Sequence, residues 1–275
     1  MENNPLTTYF RRPAIYIKLP SDGQYYAKDT LNMTETHELP VFPMTAIDEI
    51  TYRTPDALFN GQAVVDVIQS CVPNIKNAWA VPSVDLDSIL VAIRIASYGH
   101  SMDIDTTCTK CGEESTYALD LRTVIEGLAA PDFRTPEIIG DLEVYFRPLN
   151  YKQMSENNVL QFEEQKLVSV IDNTDMDDKQ KLNILADAFR KIGELTLKAV
   201  GQGIAAIKTP ETVVQDRKHI DEFLRNCDRE VFDRLRDRVI KLKTESELKP
   251  LNIKCTHCGH EYAQPFTFDM SNFFG

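Results

Sequence analysis

Two thiol turns lie far apart in the chain, Cys108-Thr109-Lys110-Cys111-Gly112 and Cys255-Thr256-His257-Cys258-Gly259. In each, two residues separate the cysteines and a glycine follows the second. This spacing lets one tight turn aim both sulfurs at a single ion. Two such turns supply a Cys₄ donor set, the usual shell of a structural Zn²⁺. An ion held by Cys108, Cys111, Cys255 and Cys258 ties the middle of the chain to its C-terminal region. It therefore constrains architecture before it says anything of chemistry.

Other uses of these thiols fit less well. A disulfide within a turn needs an oxidising compartment, and Met1-Glu2-Asn3-Asn4 opens a polar start without the apolar stretch of a signal peptide. A redox Cys-x-x-Cys normally opens a helix in a βαβ unit. Here each turn follows one strand-like run (Met102 to Thr107; Leu251 to Lys254) and precedes another (Ser115 to Leu121; Tyr262 to Phe268). That pattern predicts a zinc-ribbon-like β module with a long insertion. His257 and His260 flank the second turn as rim residues, since four cysteines already complete the shell. Cys71 and Cys227 fall in amphipathic helical patterns and read as small buried hydrophobes.

The chain between and before the turns divides by period. Residues 1–43 read as an extended N-terminal arm with short strands. Ala14 to Pro20 is β-rich, and a Ser21-Asp22-Gly23 turn lets Gln24-Tyr25-Tyr26 pair back. Residues 44–100 read as a small helical domain. Thr45 caps a first helix, Thr54-Pro55-Asp56 starts a second carrying Val64, Val65 and Ile68, and Asp85 to Ser88 opens a third that Gly99 stops. Residues 101–149 plus 249–275 form the β module, including a hairpin at Gly140-Asp141. Residues 150–248 read as a helical insertion, with a kink at Gly201-Gln202-Gly203, a helix starting at Thr209-Pro210-Glu211 and a break at Cys227-Asp228. The fold class is α+β.

Charge and motifs narrow the function. The net charge of −12 argues against a sequence-independent nucleic-acid binder. No apolar run reaches the ~20 residues that span a bilayer. No H-E-x-x-H, G-x-S-x-G or Walker-type sequence occurs, and a Cys₄ shell leaves no position for a metal-bound water. The chain is therefore expected not to be an enzyme and to take no small-molecule substrate. Arginines at 229, 234, 236 and 238 alternate with acids and read as a solvated, ion-paired helix face. Phe266, Phe268, Met270, Phe273 and Phe274 predict a C-terminal segment docked on the ribbon or on a neighbour. The aromatic residues of the arm, among them Tyr9, Phe10 and Tyr16, predict contact with another subunit, with folding back on the chain's own helices as the alternative.

A set of motifs in residues 11–125 is more specific. Arg12-Pro13 leads to Ile17-Lys18-Leu19-Pro20-Ser21. Leu39-Pro40-Val41-Phe42-Pro43-Met44-Thr45-Ala46 precedes Asp48-Glu49, and Thr54-Pro55-Asp56-Ala57-Leu58 precedes Asn60-Gly61. Val67 to Pro73 and Ile93-Arg94-Ile95-Ala96-Ser97-Tyr98-Gly99 complete the set before the first thiol turn. In these the chain resembles the baseplate hub subunit and hub assembly family of T-even type contractile-tailed bacteriophages. The resemblance implies a structural or assembly protein with other hub or tail proteins as partners and no catalytic residues to carry over. It implies the host cell cytoplasm as the place of assembly and leaves open a later place in the virion tail baseplate. A zinc-ribbon nucleic-acid or transcription factor is the alternative, and it requires a basic patch around the turns where only Lys110 and Lys254 stand.

Overall fold

A computed structural model describes residues 4–53, 61–172 and 178–266, with the side chains of 163–184 left aside. Its helices are α1 Ala46–Tyr52, α2 Gln62–Cys71, α3 Ser83–Tyr98, α4 Leu121–Gly127, α5 Tyr151–Asp172, α6 Asp178–Gly203, α7 Arg217–Asn226 and α8 Arg229–Ser246. Its strands are β1 Ile15–Ile17, β2 Leu39–Val41, β3 Ser101–Thr107, β4 Glu114–Asp120, β5 Glu137–Ile139, β6 Leu142–Phe146, β7 Ile204–Lys208, β8 Val213–Val214, β9 Leu251–Lys254 and β10 Glu261–Gln264. The fold is mixed, helices with four small sheets. The chain forms two compact units, Met1–Ala130 with Ser246–Gly275, and Pro131–Glu245.

In the first unit the arm is largely built in. β1 pairs antiparallel with β2, Ile15 opposite Val41 and Ile17 opposite Leu39. The expected return strand at Gln24–Tyr26 is absent. Asp22, Gly23 and Tyr25 all take positive φ, so the chain keeps turning instead of extending. Leu39 and Val41, both fully buried, supply the partner strand, with Pro40 pointing away between them. Arg11 anchors the arm. It donates to the carbonyls of Pro43 (2.6 Å) and Ser70 (2.8 Å), to the Ser70 hydroxyl (2.7 Å) and to Asp48 (3.1 Å).

Thr45 caps α1 in a reciprocal capping box with Asp48. The second expected helix start, Thr54-Pro55-Asp56, lies outside the described residues, but Val64, Val65 and Ile68 are buried on α2. Helix α3 begins at Ser83, not at Asp85, and has no side-chain cap. Asp85 is buried instead and accepts from the Ser21 backbone N–H (2.8 Å) and hydroxyl (2.5 Å). Gly99 ends α3 as expected, its N–H donating to the Ile95 carbonyl.

Beyond α3 come two hairpins. β3 pairs with β4 over seven residue pairs, Ser101 opposite Asp120 to Thr107 opposite Glu114. β9 pairs with β10, Leu251 opposite Gln264 to Lys254 opposite Glu261. They form separate two-stranded sheets.

Residues 150–248, read as an almost wholly helical insertion, also contain the strands β7 and β8. In the second unit a four-stranded antiparallel sheet runs β5-β6-β7-β8, so the Gly140-Asp141 hairpin joins this unit and not the thiol turns. The β-favouring Ile204-Ala205-Ala206-Ile207 follows Gly203 without a loop. No kink occurs at Gly201-Gln202-Gly203; the helix ends there and the strand begins. A Cβ at Gly203 would stand 3.2 Å from Val239, so glycine permits the close approach of α8. Thr209-Pro210-Glu211 does not start a helix. The Thr209 hydroxyl oxygen accepts from Glu211 and Thr212 N–H in a turn between β7 and β8, and α7 starts at Arg217, capped by Asp216. The break at Cys227-Asp228 lies between α7 and α8, where expected. Val144, Phe146, Ile204, Ile220 and Leu235 are buried in this unit.

Candidate metal centre

The two thiol turns are built alike. In the first, the Cys108 N–H donates to the Glu113 carbonyl at 2.9 Å and the Gly112 N–H to the Cys108 carbonyl at 2.9 Å. In the second, the Cys255 N–H donates to the His260 carbonyl at 2.8 Å and the Gly259 N–H to the Cys255 carbonyl at 3.0 Å. Gly112 and Gly259 sit at φ 71° and 69°, a left-handed conformation that glycine adopts without a Cβ penalty. Each turn closes the end of a hairpin, so strand pairing on both sides holds its cysteines in place.

The hairpins bring all four sulfurs within 4.8 Å of one another, a group that can hold a metal ion. The closest pairs run across the turns, Cys108 to Cys258 at 3.7 Å and Cys111 to Cys255 at 3.8 Å. A disulfide is only about 2.05 Å long, and the cysteines are free. With metal–sulfur bonds of about 2.3 Å, a tetrahedron has sulfur–sulfur edges of about 3.8 Å. Both cross-turn distances match that edge. Cys108 and Cys255 are buried, whereas Cys111 and Cys258 face solvent. The Thr106 hydroxyl and the Tyr262 hydroxyl, 2.9 Å apart, add a second tie between the hairpins.

Electrostatics favour a thiolate within the group. The backbone N–H of Cys111 is the main influence on Cys108 and pulls its thiol down to about 6, against opposition from burial. At Cys111 the Glu113 backbone N–H pulls down, yet partial loss of hydration among the neighbouring sulfurs and hydrogen bonds to them outweigh it and push that thiol up to about 12. Four sulfurs this close resist carrying four negative charges without a cation among them. Neither His257 nor His260 belongs to the group; His260 stacks on Tyr262, with ring centroids 6.1 Å apart. Lys254, one of the two lysines beside the turns, pairs with Glu261 at 3.5 Å.

All four cysteines singled out from spacing thus come together. The Thr106–Tyr262 tie and the Arg11 anchor were not foreseen. Single polar residues in strands or arms carry no periodic signal. Phe266, the first residue of the expected aromatic tail, is buried, and the residues after it lie outside the described ones.

The model of the family described as T4 bacteriophage base plate protein matches residues 15–275, a span that contains both thiol turns and both units. The chain belongs to this family. No curated protein and no solved structure gives a significant match. Membership makes this a bacteriophage baseplate protein, and the family implies other phage tail proteins as neighbours. In this baseplate protein no helix among the described residues is long and apolar enough to cross a membrane.

Proposed function

We propose that this baseplate protein is a non-enzymatic subunit or assembly factor of the contractile-tail hub, braced by one structural Zn²⁺ on Cys108, Cys111, Cys255 and Cys258. The observation that carries the metal is the cross-turn sulfur spacing of 3.7 and 3.8 Å. Borderline-soft zinc prefers four thiolates in a tetrahedron, and a shell of four protein ligands leaves no coordination site for water. The ion then supplies folding free energy and no catalysis. The two hairpins, otherwise separate sheets, act as one ribbon-like module when it is bound. The hub reading rests on the ordered motifs of residues 11–125, from Arg12-Pro13 to Tyr98-Gly99. Its partners are other hub or tail proteins met in the host cytoplasm during assembly. With a net charge of −12 it has no general affinity for nucleic acid.

Two measurements test the reading. Elemental analysis of protein purified without added metal should give one zinc per chain, and the Cys255→Ser variant should give none. Absence of metal from the wild type, with four rapidly alkylated thiols, overturns the metal assignment. Sedimentation of tail intermediates from infected cells should place the protein with hub complexes. Its recovery only with peripheral baseplate parts, or on DNA, overturns the hub assignment.

A further inference from the structure

The four sulfurs can be joined directly as well as through an ion. Each hairpin supplies one buried and one solvent-facing sulfur, Cys108 and Cys255 inside, Cys111 and Cys258 outside. The pairs at 3.7 and 3.8 Å each join a buried sulfur of one turn to an exposed sulfur of the other, across 150 and 144 residues of sequence. The backbone of each turn is already fixed by two hydrogen bonds and a left-handed glycine. Sulfurs of one turn can therefore approach each other only by side-chain rotation. Sulfurs of different turns can also approach by a small shift of one hairpin against the other, because β3–β4 and β9–β10 are separate sheets. The contact between the Thr106 and Tyr262 hydroxyls at 2.9 Å keeps the hairpins in register.

We propose that the group is a redox-convertible clasp: a peroxide oxidises it to two cross-turn disulfides, Cys108–Cys258 and Cys111–Cys255, which hold the hairpins together once the ion has gone. Cys111 and Cys258 are the sulfurs that an oxidant reaches from solvent. Each attacks a peroxide oxygen as a thiolate, the O–O bond breaks, and a sulfenic acid forms as hydroxide leaves. The buried thiolate of the opposite turn then attacks that sulfur, and the S–O bond breaks with loss of a second hydroxide. Four thiolates thus give four electrons to two peroxides, and protons from solvent turn the hydroxides into water. Zinc has no redox chemistry and is released as Zn²⁺. A disulfide of about 2.05 Å requires each pair to close by about 1.7 Å. Bonds across loops this long constrain the unfolded chain, which an in-turn bond scarcely does. Thiols stay reduced in a cytosol and oxidise outside it, so a baseplate part that leaves the host keeps its module closed. The proposal deepens the metal reading and rests on the same four cysteines.

The test uses the full chain as purified, with hydrogen peroxide as the oxidant. Remaining thiols are blocked and the protein is digested without reduction for mass spectrometry. Peptides linking Cys108 to Cys258 and Cys111 to Cys255 are expected, with one Zn²⁺ released for every two peroxides consumed. Under a chelator the oxidised chain should keep amide protection in β3, β4, β9 and β10, and lose it once dithiothreitol is added. In-turn bonds Cys108–Cys111 and Cys255–Cys258 in their place, sulfinic or sulfonic acids alone, or an oxidised chain that opens under the chelator as the reduced one does, each overturn the proposal. Zinc content of the untreated chain is a separate readout. If zinc is absent while the cross-turn bonds form, the metal reading alone has failed; if it is present while in-turn bonds form, the clasp alone has failed.

Discussion

Arg11 shows how one side chain converts an arm into part of a fold. Its guanidinium donates to two backbone carbonyls, one hydroxyl and one carboxylate, all part-buried, and lies 5.9 Å from the Phe42 ring centre. Removing it takes this donor from the Pro43 and Ser70 carbonyls, while Asp48 keeps its bonds from Thr45, so Arg11→Ala should lower stability by about 2 kcal/mol in urea unfolding, whereas exposed Arg12→Ala should change it by less than about 0.5 kcal/mol. Asp48 opposite it is held below the usual carboxylate range; burial pushes up, but donors from Thr45 and Ser70 and the charge of Arg11 outweigh it. Its contribution is present above the unfolded pKa of about 4 and disappears as pH falls through the lower native value. Asp85 behaves in the opposite sense. Burial pushes it up to about 6, although Ser21 donates to it. A raised carboxyl stabilises most below the unfolded value of about 4 and loses that contribution as pH rises to about 6. Asp87 is pushed up to about 6 in the same way, by burial and then by Glu247. Urea midpoints between those pH values should therefore fall with rising pH, and Asp85→Asn should flatten the fall without abolishing it.

Among the elements, each thiol-turn hairpin carries one glycine in a left-handed conformation. Gly112 and Gly259 hold φ near 70° directly after the second cysteine of each pair, with nothing within 4 Å of the place a Cβ would take. The cost of substitution there is conformational, not steric. Gly259→Ala should lower stability by about 1 kcal/mol and weaken zinc retention in a chelator competition, while keeping one equivalent of metal. Helix patterning was legible wherever one face is buried. Val64, Val65 and Ile68 on α2, and Leu86, Ile89, Leu90 and Ile93 on α3, all lie in the core at the spacing their sequence shows. It failed where a short strand sits among helices. Ile204 to Lys208 is too brief to show its own period beside a long helical pattern, and its strand character comes from the β6 partner.

The whole molecule is two units, and the four-cysteine group draws on both of the chain segments that form the first. The first unit takes its residues from both sides of the second, so its β9–β10 hairpin follows residues 131–245 in the chain. The proposed ion would close a very long loop, and structural zinc sites contribute apparent folding free energy on the order of 10 kcal/mol. Chelation should raise amide exchange in β3, β4, β9 and β10 while β6 and β7, whose pairing lies wholly within the second unit, stay protected. Loss of protection in β6 and β7 at the same rate would mean that the units do not fold independently. Cys255→Ser should reproduce the chelated pattern, and Cys227→Ser, outside the sulfur group, should not.

Residue order alone picked out the four cysteines that come together, because each pair of thiols is fixed by a local turn whose spacing and glycine are written contiguously. It also determined the buried helix faces, which repeat with the period of the backbone itself. Only the tertiary structure decided which strands pair beyond the local hairpins. Leu39–Val41 and not Gln24–Tyr26 completes the first sheet, and Leu142–Phe146 pairs with Ile204–Lys208 across two long helices. A strand's partner is chosen by burial of its faces and by the donors left open on its neighbour, and neither quantity exists until the chain has come together. The same holds for Asp85, whose place beside Ser21 makes it a buried acceptor instead of a helix opener.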